Sequence, residues 1–190
     1  MSLTEETWRP PIIETRRLIL RPFEISDTEN VFSYASDPEV TRFMSFERHT
    51  SYVQAEEFLN GWVAANYSRK VRDYAICLKT ENKQFIGACG LYPKDHGQDV
   101  YELGYVLKKS AWGKSYVPEA CGALMEAGFL ELKARRIYAP IFEENEKSRR
   151  AALKMGMTFE GILRSAFRAQ GRRWNVAIYS LLPDEIKKPI

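Results

Sequence analysis

From Tyr101 to Cys121 the chain reads YELGYVLKKSAWGKSYVPEAC: a β-rich run, a short polar turn, then a helix start marked by Pro118. A helix start leaves up to four backbone N–H groups unpaired and carries partial positive charge, so such a junction can hold a phosphate. Gly113, Lys114 and Ser115 form a small-residue turn that lets a pyrophosphate come close to the backbone. The same pattern also describes an ordinary strand-to-helix connection. Further along, Asn145 can cap a helix ending at Gly156, a residue suited to the left-handed position past a helix C-terminus. On residue types alone, Asn145 is an N-cap and Ser148 a first-turn serine. Strand alternation puts Glu102 and Gly104 on one face, where a carboxylate is equally at home as a solvated strand residue.

These residues need a framework. Thr15 to Pro22 alternates around Leu18, Ile19 and Leu20 as a first strand, and Ser26 or Asp27 can cap a helix running toward Asp37-Pro38, where a second short helix begins. Ala55, Phe58, Leu59, Trp62 and Val63 fall at i, i+3, i+4, i+7 and i+8, predicting one apolar helix face. Tyr74–Leu78, Gln84–Leu91 and Val100–Leu107 are short, β-rich and separated by the turn-formers Glu81-Asn82-Lys83 and Asp95-His96-Gly97, which predicts a three-strand antiparallel meander. Pro118 to Leu132 returns to helical spacing, Ile137–Phe142 is a strand, and strands near Met157–Arg164 and Trp174–Leu182 follow the Asn145 helix. This order predicts a mixed α/β sheet with helices on both faces. No linker or repeat divides the chain, so residues 1–190 are expected to form one domain with its core at about 12–183.

Composition narrows the function. Lys plus Arg is 28 against 25 for Asp plus Glu, and a net charge of +3 does not announce a nucleic-acid or membrane surface. Cys77, Cys89 and Cys121 are odd in number and sit among apolar neighbours, which reads as core thiols rather than a disulfide framework. His49 and His96 lie far apart and no metal-ligand spacing occurs, so no metal is expected; His96 lies in what reads as an exposed loop. Met1–Pro11 lacks an apolar leader core, and no run reaches the roughly 18 apolar residues of a membrane span. A cytoplasmic protein, monomer or homodimer, is expected.

The Tyr101–Cys121 segment resembles motif A of the GNAT acetyltransferases, and its run Trp112-Gly113-Lys114-Ser115-Tyr116-Val117 resembles the Trp-Gly-Lys-Gly-Tyr-Ala run of the RimJ/RimL-like branch, with Ser115 and Val117 at the two small positions. Asn145-Glu146-Lys147-Ser148, continuing to Lys154-Met155-Gly156-Met157, is similar to that branch's Asn-x-x-Ser-x-x-x-x-x-Lys-x-Gly-Phe segment, Met157 replacing the aromatic. Glu14 to Pro22, Phe159 to Arg164 and Ile178 to Leu182 also follow the branch, with Asn175 where aspartate is common, so the resemblance covers nearly the whole chain. It implies a GNAT domain, α/β of the α+β type, whose twisted, mostly antiparallel sheet splays at a central parallel pair to admit acetyl-CoA.

The resemblance further implies direct transfer of acetyl from acetyl-CoA to a primary amine in a ternary complex. Backbone N–H groups of Tyr105, Val106 and Leu107 would hold the pantetheine, the turn Trp112–Val117 the pyrophosphate, and Asn145 the pantetheine arm. Ser148 would donate a proton to the leaving thiolate, because the superfamily's tyrosine falls at Ala152. Glu102, whose family counterparts lie beside the acetyl group, would be the base that deprotonates the ammonium. Phe43, Met44, Trp62 and Tyr67 could wall the acceptor pocket or belong to the core. The acceptor is the N-terminal amine of a protein, ribosomal proteins included, or a small amine, amino acid or antibiotic. A module that holds CoA without transferring is the alternative of another class.

Overall fold

The computed structural model of the chain describes residues 8–80, 82–95 and 99–186. His96, and with it part of the expected Asp95-His96-Gly97 turn, lies outside them. Alternating runs of apolar residues form one eight-stranded sheet in the order β1-β2-β3-β4-β5-β6-β8-β7. The strands are β1 (Ile13–Glu14), β2 (Leu18–Arg21), β3 (Arg72–Leu78), β4 (Phe85–Asp95), β5 (Val100–Leu107), β6 (Arg136–Phe142), β7 (Thr158–Ala169) and β8 (Arg172–Leu181). Every neighbouring pair is antiparallel except β5 and β6. The meander β3–β4–β5 is the one that the sequence predicts.

Period-two alternation divides the core between two layers of helices. On one face Leu18, Leu20, Tyr74, Ile76, Leu91, Leu103 and Leu107 pack against α5 (Tyr116–Glu131) and Ala152 of α6 (Glu146–Lys154). A Cβ on Gly128 would stand 2.7 Å from Leu91, so α5 lies close on the sheet because this residue has no side chain. On the other face Ala75, Cys77, Ala88 and Val106 pack under α1 (Thr28–Ala35), α3 (Tyr52–Glu57) and α4 (Ala64–Ser68). Between α1 and α3 lies α2 (Pro38–Thr41), capped by Asp37, whose side chain accepts from the Glu39 N–H at 2.8 Å. Cys77, Cys89 and Cys121 are buried free thiols.

Two local expectations change. Between α3 and α4 the backbone is a π-helix over Phe58–Val63, whose wider turn rotates the following side chains. Leu59 and Val63 stay buried while Trp62 is 54% exposed, so the single apolar face is broken. Asp27 does not cap α1. It turns back to accept hydrogen bonds from Arg21 Nη1 and Nη2, both at 2.7 Å, and from the Glu24 N–H at 2.9 Å.

Asp73 of β3 is 2% exposed. Its carboxylate accepts from Asn66 Nδ2 (3.0 Å) and the Tyr92 hydroxyl (3.1 Å). Burial pushes its pKa up from 3.8 to about 6, the hydrogen bonds from Asn66 and Tyr92 offsetting part of the rise. A carboxyl whose folded pKa lies above its unfolded value stabilises the fold below the unfolded pKa and loses that contribution as pH rises through the folded one. Asp73→Asn is therefore expected to raise Tm at pH 7 to 8, by the equivalent of roughly 3 kcal/mol at most, and to converge with the parent near pH 4. Thermal unfolding across that range checks it; a variant less stable at every pH would mean that the charged carboxylate is an asset.

Candidate active site

The parallel pairing of β5 with β6 consists of Val100 with Arg136, Tyr101 with Ile137 and Glu102 with Tyr138. Both strands continue, to Leu107 and to Phe142, but they no longer bond to each other. On its other side β5 stays paired with β4 as far as Leu107. The Lys108 N–H donates to Ile86 O at 2.8 Å, so antiparallel alternation turns the Val106 and Gly104 N–H groups toward β4 and those of Tyr105 and Leu107 into the gap. The gap thus presents two backbone donors from β5, at Tyr105 and Leu107. Val106, expected to supply a third, spends its N–H on the ladder and gives the site only its side chain.

Past Leu107 a 3₁₀ turn, Lys109–Ala111, leads to Trp112, whose indole N–H donates to Leu107 O at 3.0 Å. Gly113 (φ 76°) and Ser115 (φ 58°, ψ 26°) are both left-handed, and this double reversal aims the chain into α5. A serine there costs on the order of 1 kcal/mol that a glycine would not. The helix begins at Tyr116, so Pro118 falls two residues inside it and still within the first turn, where no N–H is lost. No side chain caps this end. Its first turn, at Tyr116 and Val117, lines the cleft.

The turn is held from behind by the start of the chain. Glu119 accepts from the Thr15 hydroxyl (2.7 Å), the Arg17 N–H (2.7 Å) and Arg17 Nε (2.6 Å). Burial pushes the Glu119 pKa up, but these donors and the Arg17 charge outweigh it and hold the carboxyl below the usual range. Arg17 also donates to Lys114 O at 3.1 Å and lies 4.7 Å over the Tyr116 ring. Lys114, expected as a pyrophosphate ligand, does not line the cavity; it contributes this carbonyl to the brace on the outer side.

The gap and the turn open into one cavity of about 830 Å³. Tyr105, Val106, Leu107, Trp112, Gly113, Ser115, Tyr116 and Val117 line one side, and Asn145, Ser148, Ala151 and Lys154 of α6 the other. The Asn145 side chain accepts from the Ser148 N–H (3.2 Å), and the Tyr105 hydroxyl donates to Ser148 O (3.3 Å), tying α6 to β5 across the gap. Burial raises the Tyr105 phenol pKa, keeping it a neutral donor. Ala152 is fully buried against the sheet, so its position on α6 faces the core and not the cleft. Glu102 is not on the cavity wall. It sits at the fork of the gap, 3.0 Å from Lys94 Nζ, and accepts from the Tyr138 hydroxyl at 3.2 Å.

Phe43 and Met44 also line the cavity. The tip of the β7–β8 hairpin holds their segment in place: Gln170 Nε2 donates to Thr41 O (2.6 Å) and Met44 O (3.2 Å), and Phe43 packs edge-on to Trp174 at 5.8 Å. Of the other two aromatics that could wall a pocket, Tyr67 is core, bonded to Phe23 and Asp73, and Trp62 packs on Tyr92 away from the cavity. Residues to which the sequence assigns no role also line it, notably Lys147, Arg150 and Lys154, of which Lys154 matches the family segment. Their spacing of three and four along one helix is the signal that identifies them.

Relief of the left-handed serine gives a direct test of the turn. Ser115→Gly is expected to leave acetyl-CoA affinity unchanged or tighter by calorimetry, since the backbone donors stay in place. Weakening of more than about tenfold would make the hydroxyl itself a ligand.

The profile of the acetyltransferase (GNAT) domain family matches residues 17–158. The chain is 33% identical over 171 residues, 90% of this chain and 96% of the other, to the uncharacterized N-acetyltransferase p20 of Bacillus licheniformis. It is 31% identical to YoaA of Bacillus subtilis over 90% of this chain and 97% of that one. A GNAT-family acetyltransferase structure from Bacillus anthracis superposes with a TM-score of 0.82 at 27% identity, covering 92% of this chain and all of that one. A gap with outward backbone donors, an uncapped helix start beside it and a match across most of the sequence agree: the chain belongs to the GNAT acetyltransferase family and is an acetyl-CoA-dependent N-acetyltransferase.

Proposed function

We propose that the acceptor is the N-terminal α-amine of a protein or peptide, as in the RimJ/RimL-like branch, and that the chain works as one catalytic domain of the cytoplasm. One observation carries this over a polyamine acceptor. The carboxylates on the cavity wall already have cationic partners: Glu39 pairs with Lys109, Glu144 with Arg172 at 2.9 Å and Glu146 with Arg150 at 3.6 Å. Glu102 pairs with Lys94. A ligand with several ammonium groups meets on that wall, among the described residues, only Glu146 without a close cationic partner, whereas the Phe43–Met44 part of the cavity suits a single amine on a less charged chain. Names of more distant relatives point both ways. One is a putative ribosomal N-acetyltransferase, YdaF of Bacillus subtilis, 31% identical over 52% of this chain, and another a spermidine N(1)-acetyltransferase of Escherichia coli at 23%.

In this reading the Tyr105 and Leu107 N–H groups hold the pantetheine arm and polarise the thioester carbonyl, and the first turn of α5 holds the pyrophosphate. Asn145 shapes the start of α6, and Ser148 there protonates the departing thiolate. Glu102, at the fork of the gap, takes the ammonium proton through water, since its carboxylate is outside the cavity wall. Lys94 and Tyr138 fix the orientation of that carboxylate.

Thiol release with acetyl-CoA and a panel of N-terminal peptides, amino acids and polyamines is expected to give turnover with peptides. Turnover with polyamines alone would overturn the proposed acceptor. Ser148→Ala should lower kcat about 10- to 100-fold with acetyl-CoA affinity nearly unchanged, because the proton is needed after the ground state. Glu102→Gln should lose most activity near neutral pH and regain part of it at higher pH, where more acceptor is already neutral. Full activity across the pH range in a folded Glu102→Gln protein would assign the proton to another group or to bulk water.

A further inference from the structure

The cavity is longer than a pyrophosphate requires. Its wall follows α6 from Asn145 to Lys154, and from Ser148 to Lys154 alone is about 9 Å of helix axis. Along that stretch the helix turns Lys147, Arg150 and Lys154 to the cleft, each three or four residues after the last, so that they form one cationic stripe. Lys147 lies with Nζ 4.3 Å over the Trp112 ring, beside the Gly113–Ser115 turn, where it faces the place of the pyrophosphate. Arg150 and Lys154 lie one and two turns further on, past the reach of the turn's backbone donors. Arg150 has a 3.6 Å pair with Glu146, both side chains mostly in water, and an exposed pair of this length holds a cation weakly. Lys154 has no ion-pair partner among the described residues. The end of the cleft farthest from the thioester therefore carries a cationic pair that the pyrophosphate site does not use.

We propose that Arg150 and Lys154 form a second phosphate site that binds the 3′-phosphate of the CoA nucleotide, so that this chain selects CoA over 3′-dephospho-CoA. The inference rests on acetyl-CoA being the donor and deepens that reading. Two cations one turn apart suit a dianionic monoester, and a guanidinium can meet two of its oxygens at once. Of the carboxylates that line the cavity, Glu39 is paired with Lys109 and Glu144 with Arg172, and Glu146 has only the weak pair with Arg150. A ligand lacking the 3′-phosphate leaves Arg150 to Glu146 and Lys154 to water.

Calorimetric titration of the whole chain with CoA and with 3′-dephospho-CoA, at one fixed moderate salt concentration, tests this. The parent is expected to bind CoA at least about 10-fold more tightly than 3′-dephospho-CoA. In Arg150→Ala/Lys154→Ala the ratio is expected to fall to within about twofold of unity through loss of CoA affinity, 3′-dephospho-CoA binding being retained. Both side chains lie on the cleft surface of α6, and circular dichroism verifies that the variant is folded. Equal affinities in the parent, or a ratio that survives in the variant, overturn the inference alone. Equal weakening of both ligands in the variant also overturns it, and moves Arg150 and Lys154 to the pyrophosphate. Failure of the parent to bind either nucleotide overturns the acetyl-CoA reading itself and this inference with it.

Discussion

A strand inside a sheet that stops pairing must find other partners for its N–H groups, because unpaired buried donors are costly. In this chain that constraint acts where β5 and β6 part after Glu102 and Tyr138. A parallel pair needs a crossover, here α5, to bring β6 alongside β5, and the turn that starts the crossover sits at the mouth of the same gap. The separation of two strands thus creates both halves of the donor site. Beyond the fork, one side is a ladder with outward donors at Tyr105 and Leu107, and the other is a helix whose first N–H groups have no side-chain cap. The Tyr105 hydroxyl on Ser148 O ties α6 to β5 across the gap, and the Trp112 indole on Leu107 O pins the turn that follows β5.

The turn at the mouth illustrates how sequence-distant pieces share one task. Ser115 is in a conformation that glycine adopts more readily, yet the surrounding contacts hold it there. Arg17 and Thr15 meet Glu119, and Arg17 also holds Lys114 O and covers Tyr116. Glu119 thereby spends its charge on Thr15 and Arg17 of the β1–β2 turn and not on the helix end where it stands, which leaves the positive end of α5 uncompensated beside the cleft. The acceptor end is held in a similar way, by Gln170 from the far side of the sheet on the carbonyls of Thr41 and Met44.

Much of this was legible from residue types. Alternation in YAICL, QFIGACGL and VYELGYVL placed the meander, Pro38 and Asn145 marked helix starts, and the Trp112–Val117 run marked the turn, because these signals are local. What escaped was non-local. The π-helix at Phe58–Val63 leaves an apolar pattern that counts as an ordinary helix, and only packing shows Trp62 turned outward. Strand alternation assigned Glu102 a face but could not show that Lys94 and Tyr138 meet it there, away from the cavity wall. Likewise Val106 and its neighbours look alike as donors until the Lys108–Ile86 bond fixes which way each N–H points. Lys147, Arg150 and Lys154 carry no assignment from the sequence, because only the fold brings the cleft alongside their face of α6.

The two ends of the sheet have one further consequence. At one end stands β1, two residues long. At the other stands β7, twelve residues long and largely exposed, with Leu163 and Phe167 among the apolar side chains it shows to water. Its pairing with β8 slips twice, between Phe159 and Gly161 and again between Leu163 and Phe167, and Ser165 within the second slip is left-handed. Each slip bends the strand and interrupts its outward row of donors and acceptors. An open sheet of this size would otherwise offer a straight template on which a second extended chain could grow. Brevity at one margin and irregularity at the other let the protein keep an open sheet, which its central gap requires, without inviting aggregation along its edges.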